Sequence, residues 1–363
     1  MRSILRPRSI AIVGASDKSR WSQAAFATLA GFPGELHLVN QRGGTVHGRA
    51  ALAGCAALPP NIDMAVLLIP AATAEATVRE LADAGVASVA MLTSGFAEAG
   101  AEGAALQSRV AAAARQRGVR LLGPNTLGFL NFVDSTLVWT TPVRPPVRPS
   151  GVAIISQSGA TALFLADLAE RQGVGLSHVV STGNEADLEC ASFVQELVAD
   201  AATQAIALFI ETVRSPARFL DAARAASAAG KPIVVLKVGR SETTAKSALA
   251  HTGALVDDDR VFEGRCRQFG LIRVSSAEAL LATAEVAGRA GALRPGGLGV
   301  ISNSGGICEV AADTAHAHGI ALPALSAHAE AALRGTLPAL AVRQHGTHPG
   351  RAAGHCGAAV PLS

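Results

Sequence analysis

A single histidine stands among small residues in the segment His251-Thr252-Gly253-Ala254. Imidazole is neutral over much of the physiological pH range, and it is a competent nucleophile toward phosphorus. Small neighbours keep the ring accessible, and the glycine permits a backbone turn that a bulky residue would forbid. The segment therefore suits a histidine that receives a group and hands it on. Because a lone histidine is more often a structural or surface residue, this interpretation depends on the rest of the chain.

A hydroxyl-rich turn, Ser156-Gln157-Ser158-Gly159, follows an apolar run over residues 152–155 and precedes an apolar-periodic segment. The pattern predicts a turn between a strand and a helix. Backbone N–H groups and two hydroxyls would then lie at the helix N-terminus, where a phosphoryl group is stabilised. A simple capped turn fits the same residues.

Glu211 ends an apolar run over residues 205–210, so we expect it at the carboxyl edge of a parallel sheet, where such folds bind ligands. A carboxylate there can accept the N–H of an imidazole, which fixes the tautomer and raises the nucleophilicity of the ring. A solvated strand end is the alternative. An accessible histidine, an orienting glutamate and a serine-rich turn together describe a phosphohistidine site.

Short apolar runs alternate with helical patterns, which predicts α/β domains with doubly wound parallel sheets. In the first series we predict strands over residues 9–13, 35–40, 64–69, 88–92 and 120–122, with helices over 73–84 and 101–117. In the second series we predict strands over residues 152–155, 178–181, 205–210 and 233–238, with helices from 159 to about 172 and over 257–269.

The first predicted strand ends in Gly14-Ala15-Ser16-Asp17, which indicates a tight, phosphate-facing turn. The spaced glycines of a dinucleotide fingerprint are absent from it. Arg42 stands after the second strand, where an NAD site has an acidic residue, and a guanidinium suits a phosphorylated ribose better. These observations disfavour a nicotinamide oxidoreductase. A sheet with an ordinary tight turn remains the alternative.

The length, composition and charge of the chain limit the classes of protein to which it can belong. The chain has 363 residues, 49% of them hydrophobic and 16% charged, which predicts two or three domains with large cores. The formal net charge of +3 is scattered, so nothing favours nucleic-acid binding. The five cysteines form no C-x-x-C pair, and no run approaches membrane-spanning length. We therefore expect a soluble cytoplasmic protein that binds neither nucleic acid nor membrane.

One unit of sequence occurs twice. Arg148-Pro149-Ser150-Gly151 recurs as Arg294-Pro295-Gly296-Gly297, and Ile155-Ser156-Gln157-Ser158-Gly159 recurs as Ile301-Ser302-Asn303-Ser304-Gly305, at the same offset. This repeat predicts a second, shorter copy of one strand–turn–helix unit. Histidines cluster after residue 344 without a recognised metal-ligand spacing, so no metal site is predicted.

We expect the following organisation: a first domain over 1–139, a proline-rich linker over 140–150, a second domain over 151–290, a partial third domain over 291–343 and an irregular tail over 344–363. For the tail, a frameshifted or truncated gene end is one hypothesis, and an ordinary flexible terminus is the other.

In this order, over about residues 4–343, the motifs resemble the α-type half of the NDP-forming acyl-CoA synthetases, the superfamily of succinyl-CoA synthetase. The resemblance implies a Rossmann-like CoA-binding domain followed by two flavodoxin-like ligase domains, the last one truncated. It implies that His251 carries phosphate, that Glu211 orients it, and that the turn from Ser156 to Gly159 binds phosphate. It also implies CoA contacts at Gly14, Ala15, Ser16, Asp17, Asn40, Ile69, Pro70, Thr93, Ser94 and Asn125.

The resemblance further implies a reaction in which a carboxylic acid, CoA and a nucleoside triphosphate give acyl-CoA, a nucleoside diphosphate and phosphate. In this family ATP and Mg²⁺ bind to an ATP-grasp module. The 363 residues contain no candidate for that module, so a β-type partner subunit in an oligomer is expected. The alternative is a non-catalytic CoA- or acyl-CoA-binding protein of the same family.

Overall fold

The computed structural model describes residues 4–146, 148–239, 259–291, 297–302 and 304–336, together with 341–344 and 356–359. The chain divides into two compact units, Met1–Ala292 and Leu293–Ser363. His251 lies outside the described residues.

The first sheet of Met1–Ala292 contains all five strands predicted in the first series. Its strands are β1 Ser9–Val13, β2 Glu35–Val39, β3 Thr45–Val46, β4 Arg49–Leu52, β5 Met64–Leu67, β6 Ser88–Met91 and β7 Arg120–Leu122. Their order is β3-β4-β2-β1-β5-β6-β7, and all neighbours are parallel except β3 and β4. Strand order reverses beside β1, and such a switch point opens a crevice at the carboxyl ends of the strands.

The second sheet has the order β14-β13-β12-β10-β11-β8-β9. Its strands are β8 Phe129–Asn131, β9 Thr136–Val138, β10 Gly151–Ser156, β11 Leu176–Ser181, β12 Thr203–Ile210, β13 Ile233–Lys237 and β14 Ile272–Arg273. Every residue of β10 and β11 is buried, as expected for strands covered on both faces. Two seven-stranded, mostly parallel sheets confirm the predicted α/β class.

Helices connect the strands of both sheets. In the described part of this unit they are α1 Arg20–Thr28, α2 Ala74–Asp83, α3 Ala101–Gln116, α4 Gly159–Gln172, α5 Cys190–Val198, α6 Pro216–Ala228, α7 Asp259–Phe269 and α8 Ala277–Ala290. None of the helices in the described ranges is both long enough and apolar enough to cross a lipid bilayer.

Strands β8 and β9 precede residue 139, yet they belong to the second sheet. They form an antiparallel ribbon, and β8 pairs with β11. The chain therefore crosses to the second sheet before the proline-rich segment. The sheets also share one apolar core, because Ile12, Phe129 and Ile155 belong to a single buried cluster. This shared core holds the carboxyl ends of the two sheets in a fixed relation.

The second unit, Leu293–Ser363, repeats the serine turn of the first. Ser302 Oγ accepts the N–H of Ser304, and Ser304 Oγ caps the following helix by accepting the N–H of Ile307. Ser156 and Ser158 make the same pair of contacts before α4. Residues 297–302 have no regular secondary structure, so the strand expected in this copy is not formed there. The unit contains α9 Gly305–Ala317, α10 Ala327–Thr336 and an antiparallel pair, β15 Ala341–Gln344 and β16 Cys356–Ala359.

Candidate active site

A cavity of about 540 Å³ lies where strands of both sheets end. The first sheet contributes residues that follow β5, β6 and β7, and the second contributes residues that follow β10, β11 and β12. The predicted site residues that line it are Ile69, Thr93, Ser94, Asn125, Gln157, Ser158, Gly159 and Glu211. The structure thus brings the predicted phosphate turn and Glu211 to the same place as part of the predicted CoA contacts.

A second cavity, of about 530 Å³, lies at the carboxyl end of β1 and β2. Its predicted site residues are Gly14, Ser16, Asn40, Ile69 and Pro70. Lys18 and Arg42 also line it, and both are exposed, so the cavity carries cationic groups suited to phosphate. Leu68 and Ile69 border both cavities. The two cavities are therefore neighbours on either side of these two residues.

The turn after β1 is held by its own hydrogen bonds. Gly14 and Ala15 both donate their N–H groups to Val39 O, each at 3.0 Å, and Ser16 donates its N–H to Ser22 Oγ at 2.9 Å. Gly14 has φ +87°, and a Cβ there would lie 2.3 Å from Leu68 O. These N–H groups therefore shape the turn, and Lys18 and Arg42 supply the cationic side of the cavity.

Asp17 and Asn40 fix this turn from two sides. Asp17 Oδ1 accepts the backbone N–H of His47 at 2.8 Å, and His47 Nε2 lies 2.8 Å from Ser22 Oγ. Asn40 Nδ2 donates to Ala15 O at 2.7 Å, and Asn40 Oδ1 accepts the N–H of Arg42. Asn40 borders the second cavity, whereas Asp17 borders neither of the two. Asp17 therefore does not face a ligand in either cavity, and it stabilises the turn and the start of α1 through His47 and Ser22.

Near the second sheet, the serine turn before α4 uses its hydroxyls internally. Ser156 is fully buried, and its Oγ donates to Ser158 O at 2.7 Å and accepts the N–H of Ser158 at 3.1 Å. Ser158 Oγ caps α4 by accepting the N–H of Thr161 at 3.2 Å. Among the described contacts, the N–H groups of Gly159 and Ala160 have no protein acceptor, and both residues line the first cavity. These two N–H groups at a helix N-terminus are suited to an anion.

Gln157 uses its whole side-chain amide within the protein. Its Oε1 accepts the N–H groups of Glu211 at 2.6 Å and Thr212 at 3.0 Å. Its Nε2 donates to Glu185 Oε2 and to Thr212 O, both at 2.7 Å. Gln157 therefore connects the serine turn to the residue that follows β12. Glu211, half-buried at the wall of the cavity, is held at its backbone by this contact.

Sequence reasoning assigned no role to the turn after β11, although its polar residues follow a predicted strand. Asn184 Nδ2 donates to the Glu98 carboxylate and to Gln107 Oε1, and Asn184 Oδ1 accepts from Asn125 Nδ2 at 3.3 Å. Burial opposes the ionisation of Glu98, but hydrogen bonds from Asn184 and from the N–H of Gly95 outweigh it and lower the Glu98 pKa. Asn184 thus ties the second sheet to the first across the cavity. Within the described ranges no group of three or more His, Cys, Asp or Glu side chains is arranged to hold a metal ion.

Comparison with known protein families finds two separate matches along the chain. Residues 8–131 match the model of a CoA binding domain. Residues 149–287 match the model of a succinyl-CoA ligase like flavodoxin domain. The first match contains the cavity with Lys18 and Arg42, and the second contains the serine turn, Glu185 and Glu211.

Among curated proteins, the chain is 39% identical over 344 residues to a trans-feruloyl-CoA synthase from an unidentified prokaryote, covering 92% of this chain and 48% of the relative. It is 33% identical over 329 residues to the α subunit of an ADP-forming acetate–CoA ligase from Pyrococcus furiosus, covering 89% of this chain and 71% of that subunit. The chain thus spans about half the length of some curated relatives and most of a separate α subunit. A solved structure, the dinucleotide-forming acetyl-coenzyme A synthetase 1 of Ca. Korarchaeum cryptofilum in complex with phosphate and ADP, superposes with a TM-score of 0.78 at 28% identity, covering 89% of this chain and 70% of that one.

Proposed function

The chain belongs to the NDP-forming acyl-CoA synthetase family, and we propose that it is the α-type, CoA-binding half of an acid–CoA ligase. The observation that carries the proposal is the wall of Leu68 and Ile69 that borders both cavities. A CoA molecule with its phosphates at Lys18 and Arg42 would extend its thiol along this wall. The thiol would then reach the cavity that contains the N-terminus of α4 and Glu211.

The proposed chemistry proceeds by two displacements. A carboxylate oxygen of the acid attacks the phosphorus of phosphorylated His251, and the imidazole leaves, which gives an acyl phosphate. The CoA sulfur then attacks the acyl carbon, and phosphate leaves as acyl-CoA forms. Two easier displacements replace one difficult condensation. The N–H groups of Gly159 and Ala160 would stabilise phosphoryl charge, and Glu211 would orient His251.

The phosphoryl donor would be ATP with Mg²⁺, bound by an ATP-grasp subunit, so that His251 receives its phosphate from a partner. The separate α subunit among the relatives supports this division of labour. We propose the domain borders stated above, with the ribbon of β8 and β9 at the end of the first domain packed on the second sheet. We also propose a cytoplasmic location, to which the buried free thiols of Cys55, Cys190, Cys266 and Cys308 are suited. The names of the relatives include both an aromatic acid and acetate, so the acid is left to assay.

Replacing Arg42 by alanine is expected to weaken CoA binding about tenfold, because one charge-assisted hydrogen bond contributes about 1.5 kcal/mol. The affinity for 3′-dephospho-CoA should not change if the guanidinium binds the ribose phosphate. Isothermal titration calorimetry with both ligands measures this difference. Arg49→Ala, a change at an exposed arginine outside both cavities, serves as the control. Equal losses for the two ligands would contradict the assignment of Arg42.

The proposed function is tested by mixing the chain with an ATP-grasp subunit of this family, ATP, Mg²⁺, CoA and a panel of acids that includes acetate and ferulate. We expect acyl-CoA and ADP to form with at least one acid. CoA binding in calorimetry without any turnover or phosphorylation would favour the non-catalytic CoA-binding protein instead. Failure to bind CoA at all would exclude both functions.

A further inference from the structure

Glu185 is a buried carboxylate in the turn after β11. Its side chain is 1% exposed, and its backbone has the left-handed φ of +54°. It accepts three hydrogen bonds, from Gln157 Nε2 at 2.7 Å, Thr182 Oγ at 2.9 Å and the N–H of Cys190 at 2.8 Å. Burial raises the pKa of Glu185, while these donors favour its charged form. A buried acid at a left-handed position is costly, and it persists where its neighbours depend on it.

Of the three groups that donate to Glu185, Gln157 is the one that lines the first cavity. All four hydrogen-bonding positions of the Gln157 amide are occupied: two acceptor positions by the N–H groups of Glu211 and Thr212, and two donor positions by Glu185 Oε2 and Thr212 O. A flipped amide would point its NH₂ group at two N–H donors. Because a carboxylate can accept from Nε2 but cannot donate to Oε1, Glu185 and the Thr212 carbonyl together hold the amide in the orientation that receives the backbone of Glu211.

We propose that Glu185 is a positioning residue for phosphoryl transfer: it fixes the amide of Gln157, and Gln157 fixes the backbone that presents the Glu211 carboxylate. The inference rests on the proposed function, in which Glu211 orients His251. In this proposal Glu185 does not contact substrate, because the side chain of Gln157 lies between Glu185 and the cavity. Gln157 and Glu211 line that cavity, and Glu185 lies behind them.

Glutamine cannot take over the role of Glu185, although it has the same shape. Both oxygens of Glu185 accept: one from Thr182 and Cys190, the other from Gln157. In Glu185→Gln, one of these positions becomes an NH₂ group. It would then face either the N–H of Cys190 or the Nε2 of Gln157, and a donor facing a donor forces one of them away. We therefore expect the Gln157 amide to lose its fixed orientation in this variant.

The test measures transfer of ³²P from [γ-³²P]ATP to the chain in the presence of Mg²⁺ and an ATP-grasp subunit. Glu185→Gln is expected to slow this labelling about 30-fold, because a small misplacement of a group that aligns reactants costs up to about a hundredfold. Its dissociation constant for CoA should stay within about twofold of the wild-type value, because the cationic cavity lies on the other sheet.

Glu196→Gln is the matched control. Glu196 is a half-buried acid of α5 that accepts the N–H of Leu5 at 3.3 Å, and it lines a separate cavity that contains none of Gln157, Glu185 and Glu211. Its replacement should leave the labelling rate within about twofold of wild type, since substitutions at sites without shared partners act independently.

Wild-type labelling by Glu185→Gln would overturn the proposal. Parallel losses of labelling, CoA affinity and melting temperature would overturn it too, because they would assign Glu185 a structural role only. A readout that needs no catalysis separates this inference from the proposed function: amide hydrogen exchange at Glu211 and Thr212 should accelerate in Glu185→Gln. If the wild-type chain takes up no label, the proposed function fails. Unchanged exchange at these two amides would reject the role of Glu185.

Discussion

Replacing His251 by alanine is expected to abolish phosphorylation of the chain by ATP, Mg²⁺ and an ATP-grasp subunit. In the proposed mechanism His251 is the side chain that attacks the phosphorus of ATP, and alanine provides no nucleophile. The label on the wild-type chain should be labile in acid and stable in alkali, as expected for a phosphorus–nitrogen bond to imidazole. Gel autoradiography after each treatment measures both properties.

His318→Ala provides the control for this experiment, because His318 is an exposed residue at the end of α9. It should be labelled at the wild-type rate. Label that persists in His251→Ala would show that another residue accepts the phosphoryl group, and it would remove His251 from the mechanism.

Replacing Gly14 by alanine is expected to destabilise the protein by about 3 kcal/mol, since a left-handed φ costs about 1 kcal/mol and a steric overlap adds about 2 kcal/mol. The overlap arises because the new Cβ would lie 2.3 Å from Leu68 O, a backbone atom that cannot rotate away. Since Leu68 belongs to the wall between the two cavities, CoA affinity should fall as well. Urea denaturation and calorimetry measure the two effects.

The variant Gly44→Ala separates the cost of a left-handed backbone from the cost of a steric overlap at the new Cβ. Gly44 has φ +82°, close to the value at Gly14, but a Cβ there would meet no atom within 4 Å. This variant should lose only about 1 kcal/mol and should keep its affinity for CoA. Equal destabilisation in the two variants would mean that the close approach to Leu68 does not constrain the turn.

The strands that position the site could be predicted from the sequence because they are buried on both faces. Apolar runs such as residues 64–69 and 205–210 read as strands without any knowledge of their partners. β8 and β9 were missed because they are three residues long and, unlike β7, neither directly follows a helix, so no strand–helix alternation marks them. Their absence from the prediction also hid the way in which the chain joins its two sheets.

Sequence reasoning could predict that residues after several strands come together, but it could not predict their hydrogen bonds. The serine turn and Glu211 do meet at one cavity. Sequence cannot say that the hydroxyls of Ser156 and Ser158 are used within the turn, because that depends on side-chain rotamers. Nor could it find Glu185, whose importance comes from its contact with a residue 28 positions earlier in the chain. The one feature of the sequence that could have indicated Glu185 is the polar turn, residues 182–185, that directly follows the buried strand β11.

A chain that carries phosphate on an imidazole beside bound CoA should also take up phosphate without any nucleotide. In this experiment the isolated chain is incubated with [³²P]phosphate and acyl-CoA thioesters that include acetyl-CoA and feruloyl-CoA. Run in reverse, the proposed chemistry converts thioester and phosphate to acyl phosphate and CoA, and then transfers the phosphoryl group to His251. We expect acid-labile label on the wild-type chain, release of free CoA, and no label on His251→Ala. Release of CoA without any label on the wild-type chain, or label that His251→Ala retains, would rule out phosphate transfer through His251.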